Sequence, residues 1–190
     1  MVQTESDSEL TRGDTAPDFS LTGTDGATYS PDSFGDNDAL LVVFTCNHCP
    51  YAKAKFDALN AIAADYDDCA VVGINPNDPE AYPEDSYERM CELVDDGTVA
   101  YDAYLLDDTS DVARAYGAVC TPDPFLFAQD GGTWTLAYHG RLDDAMNPDD
   151  EPSGEPGFEM RQAIDAVLAG EAVSLDDEPS RGCSIKWRDE

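Results

Sequence analysis

An unbroken apolar run, Ala39-Leu40-Leu41-Val42-Val43-Phe44, empties directly into Thr45-Cys46-Asn47-His48-Cys49-Pro50. The run is short, partly β-branched and without alternation, the pattern of a strand covered on both faces as in a parallel sheet. A helix follows. Pro50 suits a first helical turn, where no backbone donor is needed, and Phe56, Leu59, Ile62 and Tyr66 recur at three- and four-residue steps along one face. The two cysteines therefore stand between the carboxyl end of a strand and the amino end of a helix, where unpaired N–H groups and the helix dipole favour a negative charge such as a thiolate.

Two cysteines separated by two residues in an α/β setting point to a redox pair. The expected division of labour makes Cys46 the exposed thiol with a lowered pKa that attacks a disulfide, and Cys49 the thiol that resolves the mixed disulfide. His48, between them, is a group that can be cationic near neutrality and so stabilises the Cys46 thiolate. A stabilised reduced form implies a potential on the oxidising side for such a pair. Two other readings stand beside this one: a pair of core cysteines with a stray histidine, and a copper or zinc carrier using Cys46, Cys49 and His48 or His139. No second closely spaced cysteine pair completes a structural zinc pattern. The redox reading needs neither metal nor cofactor.

Charge narrows the partners. The chain of 190 residues has 41 acidic against 10 basic side chains, a formal charge of −31. Nucleic acid and anionic membranes would be repelled. Aspartate is spread along the whole chain while hydrophobic residues make up 42% of it, which argues against a disordered acidic tail. It suits instead a halophile's cytosolic protein whose self-repulsion is screened by concentrated salt. The three lysines are Lys53 and Lys55, just after the cysteine pair, and Lys186; all three are expected to raise the potential around thiols. No apolar stretch resembles a signal-peptide core or a membrane span. A cytoplasmic location is expected, and six cysteines in a reducing compartment would point to thiol chemistry rather than a disulfide framework.

The length suits one domain. Residues 1–12 read as a disordered acidic segment, 13–170 as the domain and 171–190 as a tail. Within the domain, residues 13–34 carry a hairpin turning at Asp25-Gly26, and 69–74 a second buried strand. An Asn/Asp/Pro loop over 75–83 precedes a helix over about 84–94, and Ala103–Leu106 is a third strand. Ser110 is expected to cap a short helix that Gly117 stops. A hairpin turns at Gly131-Gly132, and Phe158–Leu168 is the last helix, ended by Gly170.

Four motifs carry a resemblance that covers residues 13–187: Pro17-Asp18-Phe19, Cys46-Asn47-His48-Cys49-Pro50-Tyr51, Thr121-Pro122 and Gly182-Cys183-Ser184-Ile185-Lys186-Trp187. In these the chain resembles the thioredoxin-fold superfamily, specifically the redoxin branch that includes the alkyl hydroperoxide reductase and thiol-specific antioxidant family. The resemblance implies an α/β, thioredoxin-like fold: an N-terminal β-hairpin, a central mixed sheet flanked by helices, and a C-terminal tail. It implies a cis Pro122 opposite the cysteine pair, with the backbone of Thr121 free to pair with a substrate strand. It brings Cys120 near the pair as a third redox partner or a small core residue. It also leaves Cys183 in a mobile tail as an accessory, resolving thiol, with Ile185 and Trp187 docking that tail. Cys69 and Cys91 read as inert.

Peroxide-reducing members of that family resemble a Pro-x-x-x-Thr-x-x-Cys pattern with a distant arginine. Here the positions three and seven before Cys46 are Val43 and Ala39, and before Cys49 they are Cys46 and Val42. Arg114 and Arg141 are the arginines considered for a place near the thiols. The departure favours a thiol-disulfide oxidoreductase over a peroxiredoxin-like peroxidase. Its partners would be protein or small-molecule disulfides and a thiol reductant system; the oligomeric state stays open.

Overall fold

The computed structural model describes residues 2–188. Its centre is β4 (Ala39–Phe44), every residue of which is buried. It runs parallel to β5 (Cys69–Asn75) on one side and antiparallel to β8 (Asp123–Asp130) on the other. With β2 (Leu21–Gly23), β3 (Thr28–Tyr29), β6 (Ala103–Leu106) and β9 (Thr133–His139), these form a seven-stranded mixed sheet in the order β3-β2-β6-β5-β4-β8-β9.

The unalternating apolar run of β4 has a direct cause. Successive side chains of a strand point to opposite faces, and here both faces are covered. Leu40, Val42 and Phe44 enter a cluster with Val72, Ile74, Tyr116, Phe125 and Phe127. Ala39, Leu41 and Val43 enter another with Leu59 and Ile62 of α2 (Phe56–Asp65) and Met160 and Ile164 of α5 (Phe158–Leu168). Phe44, the last apolar residue before the cysteine loop, is held edge-on by Tyr116 at 5.2 Å and Phe125 at 5.9 Å between ring centroids. The strand end that launches the loop is thus fixed from both sides.

The helix after the cysteines is broken: α1 (Pro50–Lys53) ends at Ala54, and α2 starts at Phe56. Lys55 at the break reaches inward to the buried Asp143. The next helix, α3 (Tyr87–Asp95), is capped by Ser86, whose Oγ accepts from Arg89 N–H. For α4 (Asp111–Tyr116) the expected Ser110 cap is absent. Ser110 adopts left-handed backbone and donates its hydroxyl to Pro76 O, while Asp107 accepts the Ala113 N–H. Gly117, with φ of 68°, ends that helix as expected.

Two terminal expectations are corrected. The amino-terminal segment contains β1 (Gln3–Glu5), and the carboxyl-terminal segment contains β10 (Arg181–Ser184); with β7 (Cys120–Thr121) they form a second sheet in the order β1-β10-β7. Gln3 pairs with Cys183, and Cys183 with Thr121. Backbone pairing on both sides of β10, with Ile185 buried in the core beyond it, holds the segment that the resemblance leaves as a mobile tail. Ser6, just past β1, donates to the buried Asp123, which anchors the segment read as disordered.

Candidate active site

The loop 45–49 leaves β4 at the edge of the sheet where β5 also ends, so groups from the loop after β5 can reach it. Cys46 and Cys49 both lie fully buried, in a small apolar cluster with Ala52, Phe56, Met90, Leu93, Val99, Tyr104 and Cys183. Opposite them the Thr121–Pro122 peptide bond is cis. Cys46 Sγ lies 3.3 Å from Thr121 Oγ1, and Cys49 donates to Thr121 O at 3.5 Å. The structure therefore brings together Cys46, Cys49, Thr121, Pro122 and Cys183.

Burial corrects the expectation of an exposed, acidic Cys46. Desolvation pushes its pKa up, and hydrogen bonding with Cys49 and the nearby Asp85 charge push it further; only the Thr121 hydroxyl opposes them. Charge on the pair instead settles on Cys49, lowered to about 5 by the hydrogen bond from Cys46, then by Cys183 and the backbone N–H groups of Ala52 and Cys183, against burial. The physical reason is local. Cys49 has Cys46 on one side and Cys183 on the other, and its sulfur takes hydrogen bonds from both and from the Ala52 N–H. On ionisation its 3.5 Å contact with Thr121 O changes from a hydrogen bond to a weak repulsion, outweighed by those donors. Burial, then hydrogen bonding with Cys49, pushes Cys183 up to about 12, with Lys186 opposing.

His48 is not aimed at the sulfurs alone. Its Nδ1 meets Asp85 Oδ2 at 2.6 Å. Asp85 is fully buried, and its other oxygen accepts the Asn47 N–H at 2.7 Å while Asn77 Nδ2 also donates to Oδ2 at 2.7 Å. Asn47 Oδ1 in turn accepts from the buried Tyr104 hydroxyl at 2.7 Å, and Asn77 Oδ1 accepts the Lys186 N–H at 2.8 Å. The His48 ring stacks on Tyr82 with 5.7 Å between centroids. One buried carboxylate thus fixes the cysteine loop, orients the histidine and ties in the carboxyl-terminal segment. Asp85, Asn47, Asn77 and Tyr104 are missing from the sequence reading. The available signal was topological: the polar loop after β5 has to emerge at the same sheet edge as the cysteines.

Among the described residues, Cys46, His48 and Asp85 are the one group of three potential metal ligands, within 4.8 Å of one another. It differs from the Cys46, Cys49 and histidine set of the carrier reading, with Asp85 in place of Cys49. Both Asp85 oxygens already accept hydrogen bonds, which fits an orienting network better than a vacant ligand. His139 is elsewhere, 2.8 Å from Asp123 Oδ1 and stacked on Phe125.

Cys120 is buried, its thiol pushed upward first by burial and then by Asp123, and it donates to Pro122 O at 3.7 Å. Those features describe a core thiol. Arg114 donates to Thr109 O and lies over the Trp187 ring, and Arg141 pairs with Glu159. Both arginines are thus committed away from the cysteines.

The AhpC/TSA family model matches residues 12–134, well over half of the chain. The chain belongs to the AhpC/TSA family. Two crystal structures resemble this family member over nearly its whole length. A hypothetical protein from Sinorhizobium meliloti is 41% identical, with a TM-score of 0.88 over 98% of this chain and 100% of the other. An uncharacterized conserved protein from Geobacillus kaustophilus is 38% identical, with a TM-score of 0.91 over 100% and 98%. A putative thiol:disulfide interchange protein from Chlorobium tepidum, 23% identical with a TM-score of 0.61 over 84% and 99%, shares the thioredoxin-like fold. No curated protein matches the chain. No helix among the described residues is long and apolar enough to cross a membrane.

Proposed function

We propose that this AhpC/TSA protein is a cytoplasmic thiol-disulfide oxidoreductase that exchanges disulfides through Cys46 and Cys49. The observation that carries the reading is the pair itself: two thiols on one turn, hydrogen-bonded to each other and both within 3.5 Å of Thr121. Cys46 passes its proton to the Cys49 thiolate and attacks the incoming disulfide; its sulfur bonds to one half of the substrate, while the other half leaves as a thiolate and takes that proton from Cys49. Cys49, the thiol that ionises first, attacks Cys46 Sγ, closes the intramolecular disulfide and expels the second half. Asp85 and His48 hold the loop in register for that closure. A cellular dithiol then restores both cysteines.

Thiol-dependent peroxidase activity is disfavoured by Arg114 and Arg141, which bind elsewhere, and by the lack of a threonine at the spacing the peroxidatic pattern requires. Alkylation mapping of the protein in high salt tests the choice. A Cys46–Cys49 disulfide that forms quickly with a stoichiometric small disulfide and slowly with peroxide is the expected result. A fast sulfenate on Cys46 would establish the peroxidase instead, and stoichiometric copper or zinc after purification would establish the carrier.

A further inference from the structure

The strand position beside Thr121 is already taken. β10 pairs antiparallel with β7, so that Cys183 stands directly opposite Thr121 and Ser184 opposite Cys120. This is the geometry in which an extended substrate would add to the edge of β7, and the chain supplies that segment itself. Gly182 permits the approach, since a Cβ there would lie 2.1 Å from Thr121 O. β1 covers the outer edge of β10, and Cys183 lies buried in the same apolar cluster as Cys46 and Cys49.

The three sulfurs have an order. Cys49 hydrogen-bonds with Cys46 on one side and with Cys183 on the other, whereas the groups acting on Cys46 are Cys49, Asp85 and Thr121. Cys49 is therefore the middle thiol and the common partner. We propose that Cys183 is a third redox cysteine, and that β10 acts as an internal substrate strand which takes the disulfide from the Cys46–Cys49 pair. The proposal rests on the exchange chemistry assigned above to that pair.

The step is thiol-disulfide exchange and needs no outside oxidant. In the oxidised pair, the Cys183 sulfur attacks Cys49 Sγ, the Cys49–Cys183 bond forms and the Cys46–Cys49 bond breaks. Cys46 leaves as a thiolate and takes up the proton that Cys183 gives up, so charge and electron count are unchanged. Cys46 is then a reduced thiol while the oxidising equivalent resides on β10. A reductant that unzips β10 from β7 would meet the disulfide on a separable strand instead of beneath the loop. Cys183 is thus a catalytic residue of the relay, and Lys186, whose Nζ is bound to Ser184 O and Oγ, favours its ionisation.

Disulfide mapping by peptide mass spectrometry after oxidation with oxidised glutathione tests the relay. Wild-type protein should yield both Cys46–Cys49 and Cys49–Cys183 bonds, and Cys46→Ser should yield Cys49–Cys183 alone. In Cys183→Ser only Cys46–Cys49 should form, and the alkylatable Cys46 of the oxidised wild type should be lost. Should Cys46–Cys49 form while Cys49–Cys183 is absent from both wild type and Cys46→Ser, the relay is overturned and the pairwise exchange stands. A Cys46–Cys183 bond in place of Cys49–Cys183 also overturns the order proposed. With neither disulfide formed in any variant, the exchange function fails along with the relay.

Discussion

Gly182 lies against the carbonyl of Thr121 so closely that a Cβ at that position would come within 2.1 Å of the oxygen and 2.5 Å of the carbon. Backbone atoms on both sides leave nothing soft to give way, so Gly182→Ala should force β10 off β7. The cost should be about 1–3 kcal/mol, typical of overpacking. Because β10 helps to bury the cysteine cluster, the variant should alkylate faster at Cys46 and Cys49 while keeping its far-ultraviolet spectrum. Unchanged alkylation with unchanged stability would mean that β10 does not close the site.

Asp85 is the hub of the polar network, accepting from Asn47, His48 and Asn77. Asp85→Asn keeps the shape, removes the charge and replaces acceptor capacity with donors that face other donors. Stability should fall by about 1–3 kcal/mol, as for buried groups left without partners. The Asp85 charge is one cause of the raised Cys46 pKa, so in the folded variant Cys46 should ionise more readily and alkylate faster at neutral pH. A slower Cys46 would show that loop position outweighs charge at this sulfur.

The pair should titrate in acid. Cys49 ionises at about 5 against an ordinary 9.0, a folded-state value depressed below the unfolded one. Its contribution to stability is therefore full above about pH 9 and fades as the pH falls, disappearing below about 5. Thiolate absorbance of reduced protein, followed from neutrality downward, should lose its step near pH 5. That step should be absent in Cys49→Ser and retained in Cys120→Ser, because Cys120 is pushed the other way by burial. A step that survives in Cys49→Ser would move the charge to Cys46.

The framework of this protein was legible where burial imposes a period. The run 39–44, the helix Phe158–Leu168 and the strand Ala103–Leu106 all lie where apolar spacing puts them. The site was legible only in part. Cys46, Cys49 and the cis Thr121–Pro122 bond follow from motif and resemblance, but Asp85 is one acid among 41, and nothing in its residue type marks it. Among the described residues four aspartates are buried, Asp85, Asp107, Asp123 and Asp143, and an acid-saturated composition hides all four. The carboxyl-terminal segment did carry a signal: buried Cys183 and Ile185 alternate with half-buried Ser184 and Lys186, the period of a strand. Its short length and terminal place outweighed that alternation. The ionisation order of the cysteines depends on which sulfur the donors of Cys183 and Ala52 reach, and spacing alone leaves that open.

A formal charge of −31 over 190 residues should make folding depend on salt. Exposed like charges repel one another over a Debye length of about 10 Å at 0.1 M salt and about 3 Å at 1 M, so concentrated salt relieves most of the repulsion that opposes the compact state. The exposed ion pairs of Arg89, Arg114 and Arg188 do little to offset it, since pairs at the surface contribute about 0–1 kcal/mol each. The unfolding midpoint followed by circular dichroism should therefore climb steeply with potassium chloride and change far less with sucrose at matched osmolality, because only the salt screens charge. Near-equal effects of the two would point to solute exclusion from the surface rather than screening. A midpoint insensitive to both would show that charge repulsion across this acidic surface does not govern folding.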